Sequence, residues 1–450
     1  MKRKLGGGER TYWIANQWSP NNVVAVAELD GLLEHSRLQA AIAALQQAHP
    51  LLRMCVLPDA DGCDPRFVPR ARAALPLETL DAREAGFDAL IAAELNHWID
   101  PRACLVRFVY ANDGERSLLI VSLLHIIADA SAAMIALRDV LQAYERGAAA
   151  IERRPDRQRY EALLPAEHAG WRSVPSVLRT QKAALAEALQ RKPQRLPKQA
   201  EVPMQLRRNG YSKRALSPAQ LEALRRACSA HSVTVHGLLL AALGIAIADE
   251  LGLRAQPGVA LNIGSPLSVR SALQPPIADE LGSYVCTLNV YLGVGDDRPL
   301  WTIAREANEE LQRRRERDEP FAVLNLAGWI APRSARNSPW VVKLAESQGP
   351  GNVCLSNIGA FDMPTETAGI AVRNSHWCAS LSITGYFLCA VCTTARGLQL
   401  DFAYIEDVVT AARAQRIIDR TLRELEAVAG PSRELRQPSQ RFAERPESLG

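Results

Sequence analysis

The sequence predicts an α/β protein built as two halves, and three observations carry that prediction. Residues 117–124 are almost uninterrupted Leu, Ile and Val, the composition of a strand buried on both faces. Strand and helix periods alternate on both sides of a strand-poor stretch at 152–210. At 450 residues the chain is long enough for two full cores.

The elements follow in order. Val23 to Leu29 reads as a strand, Leu33 to His49 as a helix, and Arg53 to Val56 as the start of another strand. Leu105 to Tyr110 and Ser117 to Ile126 are strands around Ala111-Asn-Asp-Gly114, a turn by composition. From Asp129 the period becomes helical, with Met134, Leu137, Leu141 and Tyr144 on one stripe to about Ala148. A short side-chain oxygen at Asp129 or Ser131 can cap that helix. Residues 152–210, with Lys and Arg clusters, read as a helix and an extended linker. Ser217-Pro218 opens a helix with a Ser cap and Pro at its first position. Helices at 218–230, 234–251 and 300–317 then alternate with strands at 258–263, 285–293, 353–357, 380–394 and 397–404. An amphipathic helix from Ala412 to Val428 closes the fold, and 430–450 has the composition of a disordered tail. Gly6-Gly-Gly8 reads as a flexible start.

Composition narrows the function. A net charge of +4, from 53 Lys and Arg against 49 Asp and Glu, implies no nucleic-acid surface. No apolar run reaches the ~18 residues of a membrane span, and the basic start lacks a signal-peptide core, so a cytoplasmic protein is expected. Nine scattered cysteines fit reduced thiols. Cys389-Ala-Val-Cys392 has metal or redox spacing but sits in a strand pattern with no second pair, so no metal is expected. There is no Gly-x-Ser-x-Gly elbow, P-loop or dinucleotide fingerprint, which removes the common hydrolases, kinases and dehydrogenases.

His125 and Asp129 are the candidate functional pair. His125 stands where a core strand ends and a helix begins, a good place for proton chemistry. By spacing alone a lone His beside an apolar strand is more often a hydrogen-bonded core residue. Two metal ligands one turn apart would need a continuous helix and a third ligand.

Leu-His-Ile-Ile-Ala-Asp-Ala (124–130) resembles the HHxxxDG motif of the CoA-dependent acyltransferase superfamily, which includes chloramphenicol acetyltransferase, condensation domains of nonribosomal peptide synthetases and polyketide-associated acyltransferases. Four more segments match in order: Leu38 to Arg53, ending in an "HPxLR" turn; Val233 to Leu243; Pro266 to Pro276 with Leu281-Gly282; and Ser356-Asn357-Ile358-Gly359, like "SNxG". Together they cover roughly residues 20 to 425. The family's first His is replaced by Leu124, its Gly by Ala130, and the Asp before its Arg by Ser268.

The resemblance implies two chloramphenicol-acetyltransferase-like subdomains in a V-shaped pseudo-dimer with a tunnel between them. The divisions would be 1–165 for the first subdomain, 166–210 for the linker, 211–430 for the second and 431–450 for the tail. It makes His125 the general base and gives Asp129 a structural role in an ion pair with Arg270, whose bland alternative is a solvated loop charge. Ala130 would border the substrate channel, and Ser356 and Asn357 would lie near the tunnel, where a turn role is the alternative. His49, His236 and His376 are read as structural. The implied activity is ester or amide formation from an acyl thioester in natural-product biosynthesis. No cofactor would be permanently bound. The donor would be acyl-CoA or a phosphopantetheinyl carrier, an acyl or peptidyl carrier protein supplied in trans, and the acceptor a small alcohol or amine. The alternatives are a catalytically degenerate condensation-like domain that docks a carrier protein or tailoring enzyme, favoured by Leu124 and Ala130, and a purely structural role. Arg207-Arg208, Lys213-Arg214 and Arg313-Arg314-Arg315 are basic clusters that could receive donor phosphates or be solvated faces.

Overall fold

A computed structural model describes residues 2–430 apart from 71–73, 335–337, 340–342, 344–345, 347–351 and 382–384. The Leu/Ile/Val run forms the strand Ser117–Leu124, every residue of which is buried. It is buried because both its edges are paired, with Asn22–Asp30 on one side and Val106–Asn112 on the other, and helices pack on the sheet. The helix Ala130–Arg146 lies on this sheet, and His35–Ala48 packs on that helix. Met134, Leu137, Leu141 and Tyr144, the stripe read from the sequence, are all buried.

The second six-stranded sheet runs Val285–Gly293, Ala260–Ser268, Val353–Ala360, Phe387–Thr394, Gly397–Ile405, Asn209–Leu216. The helix Val235–Glu250 packs on it, with Leu300–Glu316 and Ala411–Ala429 against that helix. Val235–Glu250 is apolar on all sides because Gly237 through Ala248 are buried. No single described helix is long and apolar enough to cross a membrane. Cys389 and Cys392 lie in the strand Phe387–Thr394 as free, buried thiols. Residues three apart on a strand point to opposite faces, so the C-x-x-C spacing brings no pair of sulfurs together.

The two sheets exchange chain. After Val353–Ala360 the backbone leaves the second sheet and adds Glu366–Thr367 and Ile370–Ala379 to the edge of the first, then returns as Phe387–Thr394. Ile370–Ala379 runs antiparallel to Asn22–Asp30 with an irregularity between Val372 and Asn374. The sequence does not announce this strand, because Arg373-Asn-Ser-His376 interrupts the apolar alternation. The predicted strand at 380–394 shortens accordingly, and 382–384 within it lie outside the described residues. The tail read as disordered, 431–450, lies outside them too.

The start of the chain corrects the expectation of flexibility. Arg3–Lys4 pairs with Arg66–Pro69, and Gly7–Trp18 is a helix packed on another unexpected helix, Glu319–Ile330. Gly7 meets Gly328 backbone to backbone, and a Cβ at Gly7 would overlap it. Gly7, one of the glycines that suggest mobility, serves a close helix crossing instead.

Where the halves meet, a buried polar cluster joins the two sheets. His376 Nδ1 lies 2.7 Å from Asp401 Oδ1, and Nε2 lies 3.3 Å from Glu28 Oε1 without hydrogen-bond geometry. The Tyr211 hydroxyl donates to Asp401 Oδ1 at 2.5 Å, and Lys213 pairs with Glu28. Burial pulls the His376 imidazole down, but Asp401 and Glu28 outweigh it and hold the pKa up at about 9. A raised folded-state pKa stabilises fully below the ordinary value near 6.5 and loses its effect as pH rises through about 9. His376→Gln is expected to cost about 3–5 kcal/mol at pH 6. Urea denaturation of both proteins at pH 6 and pH 10 checks this: the difference between them shrinks at the higher pH.

Candidate active site

The site begins with the end of one strand. Beyond Leu124 the backbone turns: the His125 N–H donates to the Asn21 carbonyl at 2.9 Å, and the Ile127 N–H returns to Leu124 at 2.9 Å. Ala128 then bridges to Gly282 of the second half. Asp129 caps the helix Ala130–Arg146, its Oδ1 accepting from the Ala132 N–H at 2.8 Å.

That same carboxylate reaches across to the other half. Arg270 Nη2 donates to Asp129 Oδ1 at 2.9 Å, and the Tyr284 N–H donates to Oδ2 at 2.9 Å. Arg270 is buried, so it is not a solvated loop charge. Its Nη1 donates to the carbonyls of Ala278 at 3.2 Å and Glu280 at 2.9 Å, and its guanidinium lies over the Tyr284 ring at 4.8 Å. Gly282 accepts from the Asp129 N–H and from Arg270 Nη2, each at 3.2 Å. At Gly282 φ is +147°, and a Cβ would overlap the Tyr284 ring. Only glycine fits there without strain. Ser268, standing where the family has Asp, leaves the Arg270–Asp129 pair intact; its Oγ accepts from the Arg270 N–H at 3.4 Å.

A cavity of about 1350 Å³ opens between the halves. His125, Asp129 and Ala130 line it from the first half, and Ser356 and Asn357 line it from the strand Val353–Ala360 of the second. The His125 ring stacks on Tyr12, with centroids 3.9 Å apart and planes 7° from parallel. His125 is partly exposed, yet its Nδ1 is buried and has no hydrogen bond of good geometry. Burial lowers the His125 pKa below its usual value, outweighing the nearby carbonyls and the Asp129 charge, which favour the protonated form. Burial thus favours the neutral imidazole over the imidazolium.

Asn357 uses its Oδ1 to accept from the Gly359 N–H at 2.8 Å, the local turn contact weighed above. Its amide group still borders the cavity. Leu124 is fully buried and is not a wall residue, whereas Ala130 is one.

Tyr12 and His236 are wall residues that sequence reasoning passed over. Tyr12 lies on the helix Gly7–Trp18, whose opening glycines were read as a flexible start and whose remainder was assigned no element. His236, read as structural, also faces the cavity, with Nε2 2.8 Å from Ser265 Oγ. No group of three His, Cys, Asp or Glu among the described residues is arranged to hold a metal ion.

The condensation-domain family model matches residues 10–440 of the sequence. The chain belongs to the condensation-domain family. It is similar to the first condensation domain of the calcium-dependent antibiotic synthetase, with a TM-score of 0.71 at 14% identity over 95% of this chain and 97% of that one. A mutant starter condensation domain of rhizomide synthetase RzmA, solved with C8-CoA, gives a TM-score of 0.67 at 16% identity over 96% and 95%. The condensation domain of the Monacolin K polyketide synthase MokA gives 0.64 at 14% identity over 95% and 97%. These likenesses establish the pseudo-dimeric fold expected from the motifs. No curated protein matches the chain in sequence.

Asp129→Asn is expected to lower the free energy of unfolding by about 3–5 kcal/mol, because Arg270 is left buried without its counterion. Urea denaturation of Asp129→Asn, Arg270→Met and the double variant tests this; the double variant should cost less than the sum of the two single ones.

Proposed function

We propose that this condensation-family protein transfers an acyl group from a thioester to a hydroxyl or amine, with His125 as the general base. The observation that carries the reading is a neutral, partly exposed imidazole held against Tyr12 on the wall of a cavity shared by both halves. With Nδ1 buried, Nε2 is the nitrogen available to a ligand.

A thioester is already activated, so no covalent acyl-enzyme is required. His125 takes the proton from the attacking O–H or N–H as the oxygen or nitrogen bonds to the thioester carbonyl carbon. The tetrahedral species collapses with loss of the C–S bond, and the leaving sulfur takes the proton back from the imidazolium. Products are an ester or amide and a free thiol, and His125 is neutral again. The Asn357 amide, its oxygen engaged by Gly359, has N–H groups to offer a substrate carbonyl. Ser356 offers a hydroxyl beside it, and Ala130 sets the width of the channel near His125. Ile14, Val23, Val285, Leu311 and Leu388 make much of the wall apolar, which suits an apolar acyl chain. Asp129 and Arg270 act structurally, holding the strand end that carries His125.

The donor is acyl-CoA or a phosphopantetheinyl carrier protein, and no permanently bound cofactor is involved. The RzmA starter condensation domain, similar in fold and solved in complex with C8-CoA, supports an acyl-CoA donor. Substitution of the family's first His by Leu124 does not weaken the reading, because that side chain belongs to the strand core. A docking-only role would rest on Ala130 alone.

Incubating the protein with acyl-CoA and acyl-carrier thioesters and mixed alcohols and amines, with products followed by intact mass, tests the proposal. His125→Ala should retain the wild-type melting temperature and lose about 10²–10⁴-fold in turnover. An undiminished rate in the variant would remove His125 as the base. A wild-type protein inert toward every pair would favour docking.

A further inference from the structure

The run Arg313-Arg314-Arg315 is a single basic cluster in sequence, but the fold gives its members different tasks. Arg314 is buried and pairs with Glu319 at 2.8 Å, and with Glu310 and Glu187 at 2.5 Å each. Arg313 pairs with Glu310 at 2.6 Å. Arg315 lines the cavity instead, as does Arg305 earlier on the same helix, Leu300–Glu316. Neither Arg305 nor Arg315 has an ion pair among the described residues.

Positions 305, 308, 312 and 315 fall on one face of a helix. Asn308 and Gln312 line the cavity between the two arginines, as does one carboxylate, that of Glu309. At 1.5 Å per residue the row is about 15 Å long. His236 shares this wall, and burial followed by the Arg315 charge lowers its pKa to about 4. The wall thus gains no second titrating cation at neutral pH; it presents fixed guanidinium charge. Ser232 and Thr234, at the start of the helix Val235–Glu250, border the same region, and the positive end of that helix dipole adds to the potential.

Two guanidinium groups that line a cavity without an ion pair among the described residues favour an anionic ligand, and their planar forks match phosphate oxygens in pairs. We propose that Arg305 and Arg315 form an anion subsite that holds phosphate on the pantetheine arm of the thioester donor, so that the arm leads inward toward His125. This rests on the acyl-transfer reading above. Two sources carry such a phosphate: CoA, and the phosphopantetheine of a carrier protein.

The test compares acyl-CoA, acyl-4′-phosphopantetheine and acyl-pantetheine bearing one acyl group, with wild type and the double variant Arg305→Gln/Arg315→Gln. Loss of two charge-assisted phosphate contacts should lower kcat/KM for acyl-CoA relative to acyl-pantetheine by about tenfold or more. An equal fall with acyl-4′-phosphopantetheine identifies the phosphate common to CoA and carrier arms; a fall confined to acyl-CoA identifies the nucleotide phosphates and excludes the carrier source. An unchanged ratio of acyl-CoA to acyl-pantetheine overturns the proposal. Calorimetric titration with CoA alone separates this inference from the reaction. If the wild type turns over none of the three donors, the acyl-transfer reading fails, while CoA binding weakened about tenfold in the double variant would still support the subsite. CoA binding equal in the two proteins would overturn it.

Discussion

The Asp129 carboxylate is gripped by three donors from separate parts of the chain. The Ala132 N–H belongs to the helix that follows the strand Ser117–Leu124, and Arg270 and the Tyr284 N–H belong to the other half. One side chain therefore fixes the helix start, the path of 125–129 and the approach of the segment around Gly282. A buried carboxylate left without these partners would be costly, so the three elements have to assemble together. The neighbouring Ala128–Gly282 bridge and the glycine at 282 follow from the same requirement, because the Tyr284 ring leaves no room for a side chain. His125 inherits its position from this arrangement.

Two histidines show how environment decides function. His125 and His376 are both enclosed by the fold, yet their affinities for a proton move in opposite directions. Asp129 lies near His125, but its carboxylate is engaged by Arg270 and two backbone N–H groups, and burial prevails. His376 sits between Asp401 and Glu28, and there the carboxylates prevail. The first is suited to taking a proton during a reaction, the second to holding a positive charge between two sheets.

The strand-to-helix junction at 117–146 was legible because burial on both faces and a clean change of period leave few alternatives. The Asp129–Arg270 contact spans 141 residues and follows from no local pattern; the family motifs suggested it, and the geometry brings the two side chains together. The helix Gly7–Trp18 was missed because Gly7 serves a close contact with Gly328, information that resides in the partner and not in the segment. With it went Tyr12, the ring that stacks on His125. The strand Ile370–Ala379 was missed because polar residues that bridge the two sheets, His376 among them, look from the sequence like a solvent-facing loop. The basic run at 313–315 was visible, but only packing separates a structural arginine from one that faces the cavity.

The central claim is that the fold presents His125 to the cavity as a neutral base. Histidine-selective isotope labelling with an NMR pH titration, the His125 signal assigned by its loss in His125→Ala, measures this state directly. The account predicts an imidazole neutral at pH 7 that titrates below the ordinary value near 6.5. A His125 that remains an imidazolium at pH 7 would contradict it.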